Sequence, residues 1–145
     1  MKPSTPIDFA RELVGAQVSL AWRGAGTAIF LELGKLEDSD EHRTPRGSLG
    51  CIGIEWSWRI EQGDSIIVGS FSEDEQIQIV PELLNSLLVE GVSFFGRIPE
   101  IEIQLSKDIR LLSFSTVDAG PQWSIRVAKT YLTIESGRFV YESAT

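Results

Sequence analysis

"GCIGIEWSWRIE", residues 50–61, is the stretch on which the reading of this fold turns. With the period of two that a half-buried strand imposes, it sorts into an apolar row of Ile52, Ile54, Trp56, Trp58 and Ile60 and a polar row of Glu55, Ser57, Arg59 and Glu61. The expectation is one strand, with both tryptophans turned into a core and the polar row left outside.

The same alternation recurs on either side. "TAIFLELGKL" (27–36) sets Ile29, Leu31 and Leu33 against Ala28, Phe30 and Glu32, and "EIEIQLS" (100–106) sets Ile101, Ile103 and Leu105 against Glu100, Glu102 and Gln104. Further strands are expected in "QVSLAWR", "SIIVGSF", "GVSFFGR", "IRLLSFSTV", "QWSIRVAK" and "TYLTIES", separated by turns as short as "QGD" and "SKD". Connections this short favour antiparallel hairpins, because a parallel crossover needs a dozen residues or more.

Two segments have the helical period. "TPIDFARELVGA" has Pro6 near its start, acids in its first turns, and Ile7, Phe9, Leu13 and Val14 roughly on one side before Gly15. In "SEDEQIQIVPELLNSLLVEG", proline is tolerated only in a first turn, so the expected helix runs from Pro81 to Leu88 with "QIQIV" extended before it. Residues 35–50, "KLEDSDEHRTPRGSLG", show no periodicity and read as a long, solvated, mobile loop.

An internal similarity organises these pieces. "WSWRI" (56–60) matches "WSIRV" (123–127) at an offset of 67, while Ile29, Leu31 and Leu33 match Ile101, Ile103 and Leu105 at an offset of 72. The difference falls in the 35–50 loop. The expectation is an α+β, predominantly antiparallel β protein, a single domain over 1–145, built from two pseudo-repeated β-meander halves (7–71 and 80–142) that share one core, with one or two short helices. Each half alone is too small to bury its own sheet.

Composition narrows the chemistry. The chain has 145 residues and a formal net charge of -8, with its arginines scattered, which disfavours nucleic acid as a partner. Its one cysteine, Cys51, excludes an internal disulfide, and no Cys/His cluster is present for zinc. There is no signal-like run at the N-terminus and no run of apolar residues long enough for a span, so a soluble cytoplasmic protein without a membrane role is expected. His42 is the only imidazole, and pairing it with Cys51 is disfavoured because Cys51 opens an apolar strand. No glycine-rich phosphate cradle is found, and no cofactor is called for. Glu32, Glu55, Glu61 and Glu102 are the carboxylates that acid–base chemistry would have to use, although carboxylates on the outer faces of strands, paired with Arg59 or Arg126, are ordinary surface composition.

"WRI" (58–60), "IIVGS" (66–70), a leucine-rich helix, "IEIQLS" (101–106), "LLSFS" (111–115) and "WSI" (123–125), in that order over roughly residues 50–127, resemble small uncharacterised bacterial proteins, some of them considered immunity proteins of polymorphic toxin systems. The resemblance implies a non-enzymatic module that binds a basic toxin domain. Asp38, Asp40, Glu41, Glu55, Arg59 and Glu61 are then the expected partner-binding residues, with an acidic surface to speed the encounter. Two alternatives remain: a small-ligand or carbohydrate-processing protein using strand carboxylates, and a structural homo-oligomer joined through a free strand edge.

Overall fold

A computed structural model describes residues 5–39, 42–118 and 120–143. Helix α1 (Pro6–Arg11) begins where Thr5 Oγ1 accepts the Asp8 amide, with proline in the first turn, and it buries Phe9 and Ala10. Then come β1 (Val18–Arg23), β2 (Ile29–Leu33), β3 (Leu36–Ser39), β4 (His42–Gly47), β5 (Gly50–Ile54), β6 (Trp58–Gln62) and β7 (Ser65–Gly69). Helices α2 (Asp74–Ile77) and α3 (Val80–Leu84) follow, then β8 (Val89–Phe95), β9 (Glu100–Leu105), β10 (Ile109–Ser113), β11 (Trp123–Val127), β12 (Thr130–Glu135) and β13 (Arg138–Ser143). All pairings are antiparallel, as the short turns require.

One sheet runs β1-β2-β5-β11-β12-β13, a second runs β7-β6-β10-β9-β8, and β3-β4 form a separate hairpin. The inner faces of the two large sheets meet in one apolar cluster that includes Leu31, Ile52 and Ile125 from the first and Ile60, Ile103 and Leu111 from the second. None of the described helices is long and apolar enough to cross a membrane.

Four expectations need correction. Residues 50–61 are not one strand: β5 belongs to the six-stranded sheet and β6 to the five-stranded one, and the chain crosses between them over Glu55–Ser57. The Glu55 amide is drawn to Gln122 O (2.7 Å) while Ser57 O accepts from Phe114 N (2.9 Å), so the two ends of this crossing are held by different strands. Trp56 is left in the bend, 46% exposed and outside the core, whereas Trp58 is buried. Residues 35–50 are not a loop either, because β3 and β4 pair there with Glu37 opposite Arg46. "QIQIV" is not extended: Glu73 and Gln76 form a reciprocal capping box that starts α2. Finally, the helix expected from Pro81 to Leu88 stops at Leu84, with Ser86 at φ +74 turning the chain before Leu87.

Several contacts recur at a near-constant offset. Gly15 N donates to Val89 O and Ser86 N to Val18 O (both 2.7 Å), while Val18 N donates to Leu87 O (2.7 Å) and Val89 N to Ala16 O (2.8 Å). These four bonds join the starts of β1 and β8, and β1 and β8 carry a register irregularity at matching places, Val18/Leu20 and Val89/Gly91. The chain crosses between the sheets again from β10 to β11, between Ser113 and Trp123. In consequence β1-β2-β5 is continued by β11 and β12, and β8-β9-β10 is continued by β6 and β7.

Both core tryptophans serve this arrangement. Trp58 Nε1 donates to Thr27 O (2.7 Å) and Trp123 Nε1 to Pro99 O (3.0 Å), the carbonyls lying two residues before Ile29 and Ile101. Each indole therefore ties a strand of one sheet to the hairpin leading into the other. Replacing either with Phe removes the donor to a buried or partly buried carbonyl and leaves a gap beside it, an expected loss of about 1–3 kcal/mol. In urea unfolding, Trp58→Phe and Trp123→Phe should lower the midpoint at unchanged slope, and Trp56→Phe should not; equal effects at all three positions would contradict this packing.

Candidate protein-binding surface

The two sheets differ in what covers their outer faces. On the six-stranded sheet, Trp22 stacks on Phe30 (4.4 Å between centroids), and Phe30 lies so close over Gly53 that a Cβ there would sit 2.7 Å from the ring. Beside them the β3-β4 hairpin is fastened down. Glu32 Oε1 accepts Gly47 N (3.0 Å), Arg126 Nη2 donates to Gly47 O (2.8 Å), and Arg46 Nη2 donates to Tyr131 Oη (2.6 Å).

Underneath, Glu32 and Arg126 are buried, at 4% and 7% exposure, with Glu32 Oε1 3.8 Å from Arg126 Nη2. Glu32 Oε2 also accepts from Trp22 Nε1 (2.9 Å) and from the Cys51 thiol (3.3 Å). Glu32 does face away from the core, but it is not the solvated carboxylate expected, and its pairing with Arg126 is not a surface pairing. The Cys51–His42 pair involves a side chain outside those described; the partner the thiol has is Glu32.

Among the described residues, nothing roofs the outer face of the five-stranded sheet in this way. The helices pack elsewhere, α1 against β8 and β11, α3 against β1, and α2 against β7. Across this face the register sets Arg59 beside Leu112 and Leu112 beside Glu102, with Glu61 opposite Arg110 in the next row. Glu61 accepts from Arg59 Nε (2.7 Å) and lies 3.6 Å from Arg110 Nη2. Arg59 also lays its guanidinium 4.7 Å from the centroid of Phe114, whose ring meets Phe95 edge-on at 6.2 Å. Leu112 is buried on this face although it is outside the core cluster, so these neighbours themselves are its cover. Trp56 before β6, Ile66 in β7 and Phe71 just after β7 are exposed, the last 91%.

The expected partner-binding residues are thus distributed unequally. Arg59 and Glu61 sit together on the open face, on β6, next to the edge strand β7. Glu55 does not share their row: it lies in the crossing that follows Ile54, where partial burial raises its carboxyl above the ordinary value. Asp38 belongs to the hairpin that meets β5 at its Gly50 end, roughly 15 Å away along the strand. Asp40 and Glu41 lie outside the described residues. Ser57, from the same expected polar row, is buried. Phe71, Phe95, Arg110 and Phe114 were not singled out from the sequence. Phe71 was the one with a local signal, an aromatic just beyond a strand and next to an acidic turn.

A second concavity lies nearby. The segment between β10 and β11 helps to form an open groove of about 680 Å³ lined by Arg97, Ile98, Glu100, Ser115, Val117 and Asp118. Glu100 is already engaged there, accepting from Ser113 Oγ (2.7 Å), Ser115 N (2.9 Å) and Ser115 Oγ (3.1 Å). No protein family, curated protein or solved structure matches this chain.

The thiol offers a test of the roofed cluster. Burial, and then the Glu32 carboxylate, push Cys51 well above the ordinary thiol value. Above that ordinary value the unfolded chain releases the proton while the folded one retains it, so stability falls as pH rises. Cys51→Ser keeps a donor to Glu32 and removes this slope. Urea unfolding at successive pH values should show the wild type losing ground to Cys51→Ser in the alkaline range, and parallel profiles would count against the buried cluster.

Proposed function

We propose that this chain is a non-enzymatic, cytoplasmic protein-binding module that engages its partner through the outer face of the five-stranded sheet. The observation that carries the reading is the open surface of Arg59, Phe114 and Phe95, together with the exposed Trp56 and Phe71, which lie in sequence just before β6 and just after β7. Aromatic residues and arginine are the side chains enriched where proteins bind one another, and a flat sheet face suits a protein better than a small molecule. With a net charge of -8 the chain would be steered toward a basic partner, the kind of toxin domain an immunity-type protein binds.

The groove beside Glu100 supports a second reading, a small-ligand site, since its volume lies in the range of such pockets. The hydrogen bonds from Ser113 and Ser115 leave Glu100 less capacity to serve as an acid or base there.

The test uses the full chain as bait in extracts of its own cells. The wild type should retain a basic protein with salt-sensitive affinity, and Arg59→Ala with Phe71→Ser should weaken that capture at least about tenfold. Capture of no basic protein, or equal capture by the variant, would overturn the reading.

We further propose that the two halves are copies of one unit. The reciprocal bonds between Gly15–Val18 and Ser86–Val89, and the paired indole bonds to Thr27 and Pro99, support it. Related strands match with slightly different offsets, so the alignment of tryptophans that fits the pairing sets Trp58, rather than Trp56, against Trp123. Residues 1–71 and 72–145 made as separate fragments should each be unfolded by circular dichroism and should fold when mixed, because β1-β2-β5 is extended by three strands of the other half and β8-β9-β10 by two. A fragment that folds cooperatively alone would refute this.

A further inference from the structure

An edge strand offers unpaired amides and carbonyls to any other strand, and folded proteins cover or charge such edges. The two large sheets have four edges, at β1, β13, β7 and β8. α3 packs against β1 and α1 against β8, and β13 carries Arg138 and Glu142. β7 is met by the four-residue α2 and has a register irregularity at Ile67, but it carries no charge. From Ser65 to Ser72 there is no charged residue, and Ile66 is 61% exposed. The Ser72 hydroxyl and amide engage Gly69 N and O (both 2.9 Å), but this closes only one end of the strand. Among the described residues, no hydrogen bond beyond the ladder to β6 reaches the Ser65–Val68 backbone.

The other half displays what belongs on such an edge. β12 corresponds to β7, and its outer edge is paired along its length with β13. That hairpin turns at Ser136 and Gly137, with φ of +49 and +76. At the matching place Glu73 has φ of -63, and its capping box with Gln76 leads the chain into α2 instead of back along β7. The five-stranded sheet therefore lacks the sixth strand that its counterpart has.

We propose that β7 pairs antiparallel with β7 of a second copy of this chain, joining two five-stranded sheets across a twofold axis. The inference rests on the correspondence of the two halves. The segment is suited to itself: an antiparallel pairing centred between Ile66 and Val68 sets Asp64 of one copy opposite the uncharged Val68–Ser72 stretch of the other, so no like charges face each other. Each Ile66 then lies near the axis, where a lysine would place two positive charges together.

The test is the mass of the full chain in solution by sedimentation equilibrium over a wide concentration range. The wild type should form a dimer, and Ile66→Lys, at an exposed position that spares the fold, should raise the dimer dissociation constant at least about tenfold. Glu142→Lys, on β13, should leave it unchanged. Hydrogen exchange should show the Ile67 amide more protected as the dimer forms. A wild type that stays monomeric overturns the proposal, as does a dimer indifferent to Ile66→Lys or β7 occupied only by a strand of another protein. A monomer whose two fragments still complement would refute the edge pairing and leave the correspondence of the halves standing.

Discussion

Neither three-stranded meander in this protein can complete its own sheet. The Leu31 and Ile52 side of β1-β2-β5, and the Ile103 and Leu111 side of β8-β9-β10, need an opposing apolar layer, and each meander ends at a strand whose free edge needs a partner. Both needs are met by exchange. β6 and β7 leave the first meander to extend the second, and β11 and β12 do the reverse. The crossings at Glu55–Ser57 and Phe114–Gln122 therefore decide which strands are neighbours, and the two indole bonds and the bonds joining β1 to β8 hold the sheets at fixed positions.

This exchange also settles where polar chemistry sits. Glu32 and Arg126 come from different halves and meet only because β2 and β11 both pair with β5. The β3-β4 hairpin then shuts them away from water, and a buried pair of this kind holds a shape more than it adds to stability. Arg59 and Glu61 lie on the sheet without such a hairpin, so they keep access to solvent and to partners.

Much of the local structure was legible in residue order. The alternation in "TAIFLELGKL" and "EIEIQLS" placed Ile29, Leu31, Ile101 and Ile103 inward because burial on one face imposes period two directly. Trp58 and Trp123 were expected in the core and lie there, and the position of Pro6 marked the start of α1. The bend after Ile54 left no mark, since neither glycine nor proline interrupts "IEWSWRIE" and its alternation continues through the crossing. The β3-β4 hairpin was illegible for a different reason: Gly47 and Arg46 are held by Glu32, Arg126 and Tyr131, contacts distant in sequence that no local pattern reports.

What the sequence alone determined is the antiparallel β class, the inward rows of its regular strands and the acidic balance of the whole, because these follow from side-chain alternation, turn length and composition. Tertiary structure decided that one apparent strand is two, that Trp56 faces solvent while Trp58 does not, and that one carboxylate–arginine pair is buried while another stays open. The reason is that sheet membership is set by hydrogen bonds to strands far along the chain, and a side chain's surroundings belong to those strands as much as to its own.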